Sequence, residues 1–287
     1  MEGGNDGVKK ASAIIDIKTS FKAKISKIFY MSNTFMKIAS YNIKRAKQLE
    51  TKIYKNKNAK ERAIEKHMGY VVGAVFSSVA FLEAAINEVF VRCANNTDIY
   101  PDMTDEQKEI MSKFWEINSI RNKKCKQAKK IKEELSDILK NRNNIYQAND
   151  NTSKNMEDQI INGWIKAPIL LKKYQIALFI NNRELYSNNN IYKNVDLVRR
   201  LRNSITHYVP GIEKEKDKNM VEELKDINFQ LNKLISDKSI YTFFPHKCLS
   251  YGCAEWAYQS CIDLVSDFYN RMCIPYYYSN NAFKYKG

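Results

Sequence analysis

Glycine and proline are scarce: the 287-residue chain has nine and five of them, and neither occurs between Gly7 and Gly69. Such long stretches without a breaker disfavour an all-β or Rossmann-like reading, whose turns and phosphate loops depend on those residues. Acidic residues are thin at one end. Residues 1–62 hold 15 Lys and Arg against 5 Asp and Glu, while the other 225 residues hold 32 against 27. Ten of the fifteen net positive charges therefore lie in the first 62 residues.

The chain also lacks a Cys-x-x-Cys pair. Cys248, Cys253, Cys261 and Cys273 are separated by four, seven and eleven residues, which is not the spacing of a zinc knuckle. No apolar signal core follows the opening Met-Glu-Gly-Gly-Asn-Asp, so the expectation is a reduced, cytoplasmic chain whose cysteines behave as small apolar residues. The longest uncharged apolar stretch runs from Met68 to Leu82, and its fifteen residues fall short of the roughly 20 needed to span a bilayer. No transmembrane segment is expected.

What is present is helical periodicity. At 44% apolar residues the chain can fill a core, and disorder is disfavoured. Apolar residues recur at three and four residue spacings through Ile14, Ile17, Phe21, Ile25, Ile28, Phe35, Ala39, Ala46, Leu49 and Ile53, which reads as one apolar stripe on a single helix, or on two helices if Ser32-Asn33-Thr34 is a break with a new cap. The opposite face is basic and includes Lys37, Lys44, Arg45, Lys47 and Lys52. It suits phosphates, an anionic membrane surface or an acidic partner, or serves only as a solvated face.

Residues 68–90 are apolar on every side and read as the central helix of a bundle. Residues 102–159 are polar and read as an insertion with exposed helices, the first capped by Thr104, ending in an Asn-rich loop. Periodicity returns over 160–180, 195–208, 220–234 and 247–272. The expectation is an all-α chain with a basic amphipathic extension over 1–62, a bundle over 63–275 and a tail over 276–287.

The stretch with most chemistry is Leu201-Arg202-Asn203-Ser204-Ile205-Thr206-His207-Tyr208-Val209-Pro210. On a helix Asn203 and His207 share a face, and Arg202 lies about 100° to the side of Asn203. Cationic side chains at a helix C-terminus also suit the dipole, a purely structural role. A second Arg to His spacing, Arg62 to His67, lacks the polar residue after Arg and the Pro-Gly stop.

Together with Ala80–Glu88, Lys173–Leu178 and Tyr251–Ala257, in that order along the chain, this stretch resembles the HEPN domain proteins of bacteria and other organisms. The resemblance covers roughly residues 65–273 apart from 102–159. It implies a bundle of four or five core helices and, in active members, an endoribonuclease that needs no metal or other cofactor, with sites built across a homodimer. It implies Arg202, Asn203 and His207 as catalytic residues. Toxins and anti-phage effectors with an antitoxin or defence-system partner are the corresponding biology.

Chemically, His207 can act as base or acid near neutral pH, and Arg202 offers a forked, permanent cation to phosphate oxygens. Asn203 can orient His207 or hold the backbone. Glu83 and Asn87, one turn apart on an apolar helix, are candidates to brace this site or to join helices internally. Arg199, Lys44, Arg45 and Lys47 are candidates to bind RNA. A module that binds RNA or a partner without cutting it is the competing expectation.

Overall fold

The computed structural model describes residues 30–56, 61–95, 100, 102–119, scattered helical positions between 126 and 137, 170–186, 189–208, 215–235 and 242–275. The stripe over residues 14–28, the Asn-rich stretch after 141, Val209-Pro210 and the tail after 275 lie outside them. Every regular element among the described residues is a helix. The chain divides into two compact units, Met1–Met31 and Ser32–Gly287, and all the described helices belong to the second.

The first two helices are α1 (Ser32–Asn56) and α2 (Glu61–Ala94). Three contacts fix them as an antiparallel pair. Ser32 donates from its backbone N and its Oγ to the Glu88 carboxylate, at 2.9 and 2.6 Å, so an acid sits on the positive end of α1. Gly73 faces Asn42, and a Cβ there would stand 2.9 Å from its Nδ2. His67 meets Glu50, with Nε2 and Oε2 3.0 Å apart. The seam is lined by small residues, Ala39, Ala46 and Ala74, each fully buried, which lets the backbones approach closely.

This pairing sets α1 against the helix that carries the chain past residue 62. α1 is a wall of the bundle and not an extension, since Met36, Ile43 and Ile53 on its apolar stripe are buried with the core. Of the stripe read from the sequence, Ala39, Ala46 and Ile53 are buried, while Phe35 and Leu49 are half-buried and Met36 and Ile43 extend the buried face.

A second adjustment concerns the polar insertion. Helix α3 (Asp105–Ser119) belongs to the core, with Ile110, Met111 and Phe114 buried among charged neighbours. Its start is a reciprocal cap: the Thr104 backbone N donates to Gln107 Oε1 at 2.8 Å, and the Gln107 backbone N donates to Thr104 Oγ1 at 3.2 Å.

Helix α4 (Leu170–Ile180) crosses α2, where the buried Tyr174 hydroxyl donates to the Leu82 carbonyl at 2.8 Å. Helix α5 (Asn190–Thr206) is capped by Asn189 and buries Val195, Leu197, Val198 and Leu201. Helix α6 (Glu215–Asp226) flanks it, and α7 (Tyr251–Arg271) starts at the Ser250 cap, four residues later than the sequence suggested.

With α2, helix α7 forms the centre. It packs against α1, α2 and α5, and its Tyr258, Cys261, Leu264, Val265 and Phe268 are buried. Measured over its whole length, α2 is long and apolar enough to cross a membrane, although its uncharged stretch alone is not. Its burial between α1, α3 and α7 accounts for that apolarity as core.

Candidate functional site

Arg202, Asn203 and His207 lie at the C-terminal end of α5, the helix whose other flank is anchored by Val198 and Leu201. Arg202 and Asn203 are half-buried and His207 is exposed. His207 closes the helix: its backbone N–H donates to the Asn203 carbonyl at 3.0 Å, and Thr206 Oγ1 donates to the Arg202 carbonyl at 2.8 Å. Tyr208 follows, 44% exposed, with its ring edge-on to Phe244.

The neighbouring arginines are occupied. Arg199 donates to Asp196 at 2.7 and 3.0 Å, and Arg200 donates to Asp196 at 3.1 Å and to Glu223 of α6. The hydrogen bond to Glu223 holds the Arg200 guanidinium above its ordinary pKa. Arg202 makes no ion pair with a described acidic side chain. Of the three arginines Arg199, Arg200 and Arg202, it is the one with no ion pair among the described residues.

The other sequence candidates separate. Glu83 is exposed on α2 and so is not a buried brace. Asn87 is half-buried and accepts from Lys173 Nζ of α4 at 2.8 Å, the internal helix-to-helix role. Glu255 on α7 is exposed. On α1, Arg45 leans over Tyr41 and reaches Gln48, while Lys44 and Lys47 turn toward a cavity. Arg199 is the candidate most compromised as an RNA contact, because Asp196 already holds it.

That cavity, about 790 Å³, opens between α1, the segment 228–230 and the start of α7. Lys44 and Lys47 stand on one wall, Phe229 and Trp256 on the others. It does not include Arg202 or His207. The wall carrying Phe229 is tightly held. Gly252 admits it, since a Cβ there would stand 2.6 Å from the Gln230 carbonyl oxygen, and Tyr251 Oη donates to Gln230 Oε1 at 3.0 Å.

Sequence reasoning set His67 aside, and the structure places it at the centre of a buried polar cluster. Glu50 and His67 are 1% and 0% exposed. Glu50 also accepts from Gln230 Nε2 at 3.0 Å, from the Lys233 backbone N at 3.2 Å and from the Tyr251 backbone N at 3.4 Å. One carboxylate thereby joins α1, α2, the segment after α6 and the start of α7. The available signal was an isolated acid on the apolar edge of a basic helix.

The four buried thiols among the described residues carry little nucleophilic character. Burial pushes Cys93 and Cys253 up to about 12 and also raises Cys248 and Cys261. Set against known proteins, the chain matches no family model, no curated protein and no solved structure.

Proposed function

We propose that this chain is a metal-independent endoribonuclease of the HEPN type, acting through Arg202 and His207. The observation that carries the proposal is the end of α5: Arg202, which pairs with no described acidic side chain, Asn203 and an exposed His207 stand together on a packed helix whose neighbouring arginines are neutralised. In the proposed reaction a base takes the 2′-hydroxyl proton, the 2′-oxygen bonds to phosphorus, and the bond to the 5′-oxygen breaks as an acid protonates it. The products are a 2′,3′-cyclic phosphate and a 5′-hydroxyl. Arg202 stabilises the charge that grows on the non-bridging oxygens.

One imidazole cannot be base and acid in the same step, so the reading requires a second copy of the chain to complete the site. The exposed Tyr208 beside the half-buried Ile205 gives that end of α5 an apolar margin suited to such a contact. The test is cleavage of RNA in EDTA by the purified chain, with end analysis of the fragments. Arg202→Ala and His207→Ala should each lower the rate at least about 100-fold while the thermal transition is kept. Undiminished cleavage in both variants would overturn the assignment.

A second reading has its own observation. The cavity beside α1 bears lysines and aromatic rings and lies apart from the α5 motif. A module that binds RNA without cutting it would show steeply salt-dependent binding and no cleavage under any condition.

A further inference from the structure

The cavity between α1, segment 228–230 and α7 has two chemically different ends. Lys44 and Lys47 supply two cations on the α1 wall beside Ser40. Opposite them, Phe229 and Trp256 stack on each other with ring centroids 5.8 Å apart and planes 28° apart, both half-buried. Asn228, Glu255 and Gln259 bring polar groups to the same rim. A volume of about 790 Å³ lies within the range of sites that enclose small ligands.

The basic end does not stop at the cavity. A shallower groove of about 460 Å³ shares Lys44 and Lys47 and continues past Gln48 and Thr51 to Lys52. These positions fall at i, i+3, i+4, i+7 and i+8, which is one face of α1. Lys44, Lys47 and Lys52 are the charged residues among the described ones that line this track. Among the described residues that line the cavity, Glu255 is the one carboxylate.

The aromatic wall is preorganised. Ser250 Oγ, the cap of α7, donates to the Gln230 carbonyl; Tyr251 Oη holds Gln230 Oε1; and Gln230 Nε2 is held by the buried Glu50. Gly252 admits the segment against α7. A ligand entering would therefore meet a placed Phe229 and Trp256 without first ordering a loop, which lowers the entropic cost of binding.

We infer that this cavity binds a nucleotide, with the base against the Phe229–Trp256 wall and the phosphate on Lys44 and Lys47. Glu255 accepts hydrogen bonds from ring amino or ribose hydroxyl groups. It also disfavours a ligand that is anionic at both ends. The recognised chemistry is a phosphorylated nucleoside, supplied either free or as one unit of a single strand whose flanking phosphates follow the track to Lys52. The inference does not rest on the ribonuclease reading, because neither Arg202 nor His207 lines the cavity.

The test uses the full chain and three probes in calorimetric titration: AMP, ATP and a short 2′-O-methyl oligoribonucleotide, which cannot be cleaved by 2′-oxygen attack. The variants are Lys44→Ala/Lys47→Ala and Trp256→Leu, each expected to weaken binding at least tenfold. AMP or ATP binding lost in both variants supports the site and assigns it to a free nucleotide. Binding of the oligonucleotide alone, lost in both, supports the site and assigns it to a strand. Binding of no probe overturns the inference, as does loss in the lysine variant with Trp256→Leu unaffected, which would mark a bare charged surface.

If Trp256→Leu does not fold, the same contact is read in a Trp115→Phe/Trp164→Phe chain. Quenching of Trp256 emission by the bound probe supports the site, and unchanged emission at saturation overturns it. The 2′-O-methyl probe separates this outcome from failure of the cleavage reading.

Discussion

Glu50 is one of five acidic residues among the first 62, and it is enclosed. Its two oxygens face His67, Gln230 and the backbone N–H groups of Lys233 and Tyr251. A carboxylate with that many partners is satisfied where it stands. Removing it leaves the partners buried without an acceptor, the costly side of the hydrogen-bond balance. Glu50→Ala is expected to lose about 3–5 kcal/mol, read as a lower urea midpoint at unchanged slope. Glu50→Gln should lose less, because one amide oxygen still accepts. A Glu50→Ala chain as stable as the parent would mean that water reaches these donors. None of this was legible in the sequence, since Gln230 and Tyr251 lie 180 and 201 residues from Glu50 and meet it only once the helices have packed. The spacing of Arg202 and His207 is local, five residues along one helix, and is read without any tertiary contact.

Helix ends were the most readable elements, for the same reason. The Thr104 and Gln107 pair and the stop after Thr206 are each decided by side chains within four residues of the end they close, whereas the start of α1 at Ser32 is held by Glu88, 56 residues away. The role of α3 was not readable, because Ile110, Met111 and Phe114 form a short apolar stripe inside a highly charged segment. The wall built by segment 228–230 is irregular and depends on an absence, the missing Cβ of Gly252. Gly252→Ala would place a carbon 2.6 and 2.8 Å from backbone atoms of Gln230, so the segment must move away from α7. The expected loss is about 1–3 kcal/mol, with a shift in Trp256 emission as Phe229 separates from it. Gly69→Ala in α2 is the control. Nothing lies within 4 Å of its Cβ position, and the substitution should stabilise the helix by about 0.5–1 kcal/mol. Equal effects at the two glycines in a denaturation series would show that helix propensity, and not the close approach, governs Gly252.

For the whole molecule, the net charge of the first 62 residues invites a division between a basic arm and a working domain. Packing argues otherwise. α1 contributes Met36, Ile43 and Ile53 to the core and Glu50 to the polar cluster, while its lysines remain on the outer face and line the cavity. Burying three such side chains is worth roughly 5–9 kcal/mol, comparable with the entire stability of an ordinary domain. A chain begun at residue 61 should therefore lose its cooperative thermal transition, whereas one begun at residue 32, where the compact unit starts, should keep it. The buried thiols give an independent reading. In the chain begun at 32, Cys93, Cys253 and Cys261 should resist a thiol reagent until denaturant unfolds the protein, because burial keeps them protonated and covered. In the chain begun at 61, Cys93 on α2 should react at once. A cooperative transition and a protected Cys93 in the shorter chain would restore the boundary at 62 and reduce α1 to an accessory of a bundle that stands without it.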